Sequence, residues 1–297
     1  MKIGFIGLGT MGMGMARNLL RKNGSLTVYT AAEEKRRRLA AEGFTIARSY
    51  ADLADCGLIF LSLPDDAVVE KVTLGEGGLI HHLKESGAIV IDTSTISPDS
   101  ARMIAEAFEE RVGAFLDAPV SGMQARADAG TLTVMVGGLR EAFDEAKPYL
   151  DMIGTTVRYM GGSGCGQAAK MINNVAYDIN VAGMAELLPL ALRLGLAPET
   201  IGEVLNTGTG RSYASEHFIP RILDGVFTGD YPVDKAFKDL AHIEEAEAAE
   251  EVSLPMTGAA AAVFRRAIAE GFGDLSKGGL IRVWEEEMGV RFRRDRD

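Results

Sequence analysis

Short apolar runs alternate with amphipathic stretches in the first half of the chain, and helical periodicity alone continues after that. Residues 2–6 form a glycine-bounded apolar run that reads as a buried strand. A helical pattern follows over about 11–21, then a second strand over 26–29. Apolar runs at 58–64, 88–92, 114–118, 132–136 and 155–159 predict further strands. Between them, helices are expected over 65–72, with Asp65 or Asp66 at the cap, over 99–110 behind Ser97-Pro98, and over 139–150. Strand and helix in alternation predict an α/β domain built on a doubly wound, largely parallel sheet. The pattern changes at Gly161-Gly162-Ser163-Gly164. Beyond it, helices are expected over about 165–194, 198–206, 212–224, 233–251, 255–270 and 276–288, with Pro189 kinking the first. This places an α/β domain at 1–162 and an all-α domain at 163–297. Residues 290–297 read as a charged tail with no core pattern.

Composition narrows the class. A chain of 297 residues, 47% hydrophobic and 25% charged, is long enough for two cores. A net charge of −11 disfavours nucleic acid and anionic membranes as general partners, while a local basic cluster could still hold a small anion. The two cysteines, Cys56 and Cys165, match no metal spacing and suggest no disulfide framework, so a reducing cytoplasm is the expected compartment. The N-terminal run is too short and glycine-broken for a signal peptide. No stretch holds about 18 uninterrupted apolar residues. His81, His82, His217 and His242 show no ligand spacing, and no metal is expected.

The first candidate chemistry lies at Gly7-Leu8-Gly9-Thr10-Met11-Gly12. A GxGxxG between a strand and a helix is a dinucleotide-binding turn. Gly7 permits the tight turn, Gly9 lets the backbone approach a pyrophosphate, and Gly12 lets helix and strand pack closely. The helix N-terminus then offers N–H groups to the phosphates. After the second strand stand Thr30-Ala31-Ala32, with no Asp or Glu to take a ribose 2′-hydroxyl, and Lys35-Arg36-Arg37-Arg38 follow. That favours NADP over NAD, with Thr30 and Lys35 as cofactor contacts.

The second candidate is Lys170. It falls in the second turn of the long helix predicted after Gly164 and shares a face with Asn174. Desolvation among Ala, Met and Val, together with the nearby helix N-terminus, is expected to lower its pKa, making it a proton donor and acceptor. A lysine that snorkels its head to solvent is the alternative.

These motifs resemble the β-hydroxyacid dehydrogenase family, the group of 3-hydroxyisobutyrate dehydrogenases and of tartronate and glyoxylate/succinic semialdehyde reductases. The resemblance runs over nearly the whole chain in four ordered blocks. These are the glycine turn, Asp117-Ala118-Pro119-Val120-Ser121-Gly122 with Gly130-Thr131-Leu132-Thr133, the Gly-x-Gly-x-x-x-Lys segment with Asn173-Asn174, and Lys238-Asp239-Leu240. It implies a Rossmann domain joined by a long helix to an all-α domain, and a homodimer or homotetramer. It implies an NAD(P)-dependent enzyme that moves hydride between nicotinamide and a short β-hydroxyacid or its semialdehyde. By resemblance Lys170 gives the proton and Asn174 holds the same oxygen. Ser121 and Gly122 bind the substrate carboxylate; Leu63, Pro64 and Thr95 line the cofactor; Lys238 lies beside the nicotinamide ribose. Gly7, Gly9, Thr10, Met11 and Gly12 form the phosphate turn. Met123 stands where many members carry a second glycine and would narrow the pocket or restrict the backbone; Gln124 and Arg126 could read a further polar group. An imine reductase on the same scaffold and a dinucleotide-binding protein without chemistry are the alternatives; Lys170, with Ser121 and Asn174, argues against both.

Overall fold

The N-terminal apolar run forms β1 (Ile3–Ile6), and the glycine turn delivers the chain into α1 (Thr10–Asn23). The alternation continues through β2 (Thr27–Tyr29), α2 (Glu33–Ala41), β3 (Thr45–Ala47), β4 (Leu58–Leu61), α3 (Asp66–Thr73), β5 (Ala88–Asp92) and α4 (Pro98–Arg111). It ends with β6 (Gly113–Asp117), β7 (Val120–Ser121), α5 (Met123–Ala129), β8 (Leu132–Gly137), α6 (Arg140–Leu150) and β9 (Gly154–Gly161). The computed structural model describes residues 1–83 and 87–294. By its contacts the chain divides into two units, Met1–Lys170 and Met171–Asp297.

In the first unit the strands form one nine-stranded sheet in the order β3-β2-β1-β4-β5-β6-β8-β7, with β9 on β8. Pairing is parallel from β3 to β6 and antiparallel where β8 meets β6 and β7. The central strands are buried on both faces, which is why they read as continuous apolar runs rather than alternating ones. One core, with Phe5, Phe60, Leu116 and Phe143, packs on one side; a second, with Ile59, Val90, Phe108 and Phe115, packs on the other. The register sets Ile6 opposite Tyr29 and Leu61, Leu61 opposite Asp92, and Asp92 opposite Asp117. Segments following these residues therefore leave the sheet at one edge, where ligands of doubly wound sheets bind. Asp65 caps α3 by accepting from Val68 N at 2.9 Å, and Ser97 caps α4 with Pro98 in its first turn.

The second unit holds α7 from Met171 onward (α7 spans Cys165–Arg193), then α8 (Pro198–Thr207), α9 (Tyr213–Leu223), α10 (Val233–Ala249), α11 (Pro255–Ala269) and α12 (Ile281–Met288). Val181, Leu188, Phe218, Leu240, Phe264 and Ile281 meet in its core. The division falls inside α7, beyond the glycine-rich junction, because the first turn of that helix is fastened to the sheet. Helix α7 stays helical through Pro189. Among the described residues it alone is long and apolar enough to cross a membrane by length and composition; half of its most apolar window is buried in the protein, as in a core helix. The expectation of a coreless tail needs correcting. Phe292 is fully buried, and its N–H donates to Glu285 at 2.8 Å while Arg293 pairs with the same carboxylate at 2.7 Å. One aromatic among arginines is too sparse a pattern to show periodicity, yet it docks the segment. Residues 295–297 of that tail lie outside the described residues.

Candidate active site

The glycine turn after β1 is dictated by its neighbours. Gly7 has φ +98°, and a Cβ there would lie 2.1 Å from the Ser62 carbonyl. A Cβ on Gly12 would lie 1.9 Å from the Gly7 carbonyl, so helix and strand could not pack. Gly9 is different: a Cβ there would meet nothing. Protein packing does not explain that glycine, but a ligand on the backbone would. Gly9 is also the N-cap of α1 and offers no side-chain cap, so the first-turn N–H groups are left for an anion. The turn therefore fits a dinucleotide pyrophosphate, with Thr10 exposed and Met11 half-buried beside it.

Buried and partly buried hydrogen bonds lock together the loops that follow β4 and β5. Leu63 N donates to Ser94 Oγ at 2.8 Å, and Ser94 N donates to Asp92 Oδ1 at 3.0 Å. Ser97 N donates to Asp66 Oδ1 at 2.7 Å. These bonds fix Leu63 and Thr95, both half-buried, and Pro64, which is exposed. Asp92 is fully buried; loss of hydration raises its pKa to about 7, against the lowering effect of the Ser94 donors.

The start of α7 is tied to the same edge. Asp117, at the end of β6, accepts from Gly164 N at 2.8 Å and from Gln167 N at 2.9 Å, an N-terminal cap supplied from a distant strand. Burial raises its pKa to about 6, opposed by these backbone donors. Gly166 is required because a Cβ there would sit 2.5 Å from the carbonyls of Asp117 and Met135. Gln167 is 1% exposed; its Nε2 donates to Ser94 O at 2.9 Å and its Oε1 accepts from Ile96 N at 3.2 Å. The side-chain amide thus clamps the loop bearing Thr95. One turn later stands Lys170, only 9% exposed.

Ser121 ends β7, half-buried, opposite Thr133 of β8. Gly122 has φ 142°, and Met123 has φ 59°, a left-handed backbone that is unusual for a residue with a Cβ. A residue with a Cβ is strained at that φ where glycine would not be. Arg126 lies against Gly122, and its Nε donates to the Thr131 carbonyl at 2.9 Å. Thr30 is half-buried and Lys35 is exposed on α2.

Within the second unit, Asn174 Nδ2 donates to Asp239 Oδ2 at 2.9 Å. Asp239 is buried on α10, next to half-buried Lys238. Asp239 thus orients a candidate site residue. Arg211 pairs with Glu216 at 2.6 Å. Asp92, Ser94, Asp117 and Gln167 were missed as positioning groups. The aspartates' places at strand ends were the available signal, whereas nothing in the sequence pairs Gln167 with residue 94.

Comparison with known proteins places the chain in a family. The family described as the NAD binding domain of 6-phosphogluconate dehydrogenase matches residues 2–161. The family described as NAD-binding of NADP-dependent 3-hydroxyisobutyrate dehydrogenase matches residues 164–284. The chain is 38% identical to 2-(hydroxymethyl)glutarate dehydrogenase of Eubacterium barkeri, over 97% of this chain and 96% of that protein. It is 32% identical to human mitochondrial 3-hydroxyisobutyrate dehydrogenase, over 96% and 87%. The crystal structure of 3-hydroxyisobutyrate dehydrogenase from Salmonella typhimurium superposes with a TM-score of 0.84 at 31% identity, over 95% of this chain and 99% of that one. An imine reductase from Myxococcus stipitatus, with TM-score 0.63 and 18% identity over 95% and 99%, shares the fold alone.

Proposed function

The chain belongs to the β-hydroxyacid dehydrogenase family and is an NAD(P)-dependent oxidoreductase, and from that premise we propose that it interconverts a short β-hydroxyacid and its semialdehyde, with Lys170 as the proton donor and acceptor. When bound, the nicotinamide supplies or takes the hydride. Lys170 Nζ gives a proton to the developing alkoxide in reduction and removes it in oxidation. Asn174, oriented by Asp239, holds the same oxygen. The Ser121 hydroxyl and the Gly122 N–H hold the substrate carboxylate, which fixes the direction of the reacting carbon. Asp117 and Gln167 set the position of the helix turn that carries the lysine.

The observation that carries this reading is the near-complete burial of Lys170 one turn beyond a clamp on the Thr95 loop. A lysine with only a surface role needs neither. NADP is the favoured dinucleotide, because no carboxylate stands at positions 30–32. The expected substrates are short β-hydroxyacids and their semialdehydes, the class the resemblance implies, and Met123 would narrow the range. The test is Lys170→Ala assayed with a panel of semialdehydes and hydroxyacids, each with both dinucleotides. The variant should lose roughly 10²–10⁴ in kcat, with dinucleotide affinity little changed. Near-full turnover by the variant would end the proposal. Turnover of cyclic imines in preference to semialdehydes would favour the imine reductase instead.

A further inference from the structure

The loop after β2 is where a doubly wound sheet meets the adenosine ribose of a dinucleotide. No charge stands at positions 30–32, yet a cation reaches this loop from the following helix. Arg36 Nε donates to the Thr30 carbonyl at 2.9 Å, which draws the side chain back over the end of β2. Its Nη1 pairs with Glu33 at 3.1 Å, and its Nη2 lies 3.5 Å from the Ala31 carbonyl. The Arg36 side chain is 23% exposed and its Glu33 partner 68%. Among the neighbouring basic residues, Lys35 and Arg37 are exposed and Arg38 pairs with Glu42 at 3.3 Å.

We propose that Arg36 reads the ribose 2′ position, that it takes a 2′-phosphate, and that Glu33 is its built-in competitor. This inference rests on the dinucleotide reading above. The Nε bond to Thr30 fixes the plane of the guanidinium, with Nη1 on Glu33 and Nη2 beside the Ala31 carbonyl; once Glu33 is displaced, these two terminal nitrogens form a fork. A phosphate matches that fork in shape and accepts two parallel bonds. Glu33 holds the fork only through a solvent-screened pair on an exposed helix turn, which is weak. A phosphate monoester carries more charge than a carboxylate, about −1.5 to −2, and displaces it. The Thr30 hydroxyl accepts from Ala32 N at 3.4 Å, and its own hydrogen can point to a phosphate oxygen. When no phosphate is present, Glu33 can accept from a 2′-hydroxyl. The pair is therefore a two-position reader whose cation sets the preference.

The test uses the full chain as wild type, Arg36→Ala, Arg36→Lys and Glu33→Gln. Binding of 2′,5′-ADP and 5′-AMP is measured by calorimetry, and binding of NADPH and NADH by nicotinamide fluorescence. Wild type should hold 2′,5′-ADP more tightly than 5′-AMP. Arg36→Ala should weaken 2′,5′-ADP by about tenfold to hundredfold and leave 5′-AMP almost unchanged, which also shows that the variant is folded. Arg36→Lys keeps the charge without the fork and should recover only part of the loss. Glu33→Gln should tighten 2′,5′-ADP. An unchanged 2′,5′-ADP to 5′-AMP ratio in Arg36→Ala, or equal loss of both, would overturn the role of Arg36 alone. Failure of wild type to bind either dinucleotide would overturn the dinucleotide reading as well.

Discussion

Replacing Gln167 with leucine should separate the clamp from the chemistry it supports. The amide makes two bonds, Nε2 to Ser94 O at 2.9 Å and Oε1 from Ile96 N at 3.2 Å, and both backbone partners belong to buried residues. Leucine fills a similar volume but satisfies neither. A buried backbone group left without a partner costs about 1–3 kcal/mol, so the pair should cost about 2–6 kcal/mol in unfolding free energy. Gln167→Glu keeps an acceptor for Ile96 N but sets a buried carboxylate against the Ser94 carbonyl, so at neutral pH it should lose at least as much as leucine, and at low pH, where the protonated acid can donate to Ser94 O, it should recover part of the loss. The assay is urea unfolding followed by far-ultraviolet circular dichroism, paired with steady-state kinetics at a temperature where every variant is folded. With the Thr95 loop untied from the turn before Lys170, kcat should fall at least about tenfold while KM for the hydroxyacid changes less, as expected for lost alignment. Recovery of the glutamate variant at low pH, which leucine cannot show, separates positioning from general destabilisation. If the leucine variant stays within about 0.5 kcal/mol of wild type, the range of an ordinary surface change, the clamp has no energetic reality and the reasoning fails.

Two further outcomes follow from the same edge of the sheet. Asp92 has a folded pKa of about 7, above its ordinary 3.8, so folding takes up a proton between those values. Its contribution is fully present below about pH 4 and is lost as pH rises through 7. Wild type should therefore gain on Asp92→Asn by about 1.4 kcal/mol for each pH unit lowered across that window; parallel stability curves for the two proteins would disprove the assignment. At Met123, φ of 59° costs a residue with a Cβ about 1–2 kcal/mol, and glycine removes that cost but gains about 0.5–1 kcal/mol of unfolded-chain entropy. Met123→Gly should thus leave the melting temperature nearly unchanged or slightly higher and raise kcat/KM selectively for bulkier semialdehydes. A marked loss of stability would show that the methionine side chain contributes packing that outweighs its backbone strain.

Local patterns carried much of this protein. The apolar runs of β1, β4 and β5 are buried on both faces, so they stand out as strands without any knowledge of their neighbours. Spacing of 3.6 residues marked the helices from α7 to α12 within a few residues of their ends. The glycine turn was legible because its three glycines stand between a strand and a helix adjacent in sequence. Short elements such as β3 and β7 were not legible, since two or three residues hold no period and form only because a neighbouring strand offers a ladder.

What the sequence determined by itself was the order of strands and helices, the glycine turn, and a lysine one helical turn from an asparagine, because each depends on residues a few positions apart. Tertiary structure alone decided that Asp117 caps a helix beginning 48 residues later, that Gln167 fastens to Ser94 and Ile96, that Arg36 turns back onto Thr30, and that Phe292 is core rather than tail. The physical reason is the same in each case. A buried polar group or aromatic ring must find a partner, and which partner lies within reach is set by strand register and helix packing rather than by distance along the chain.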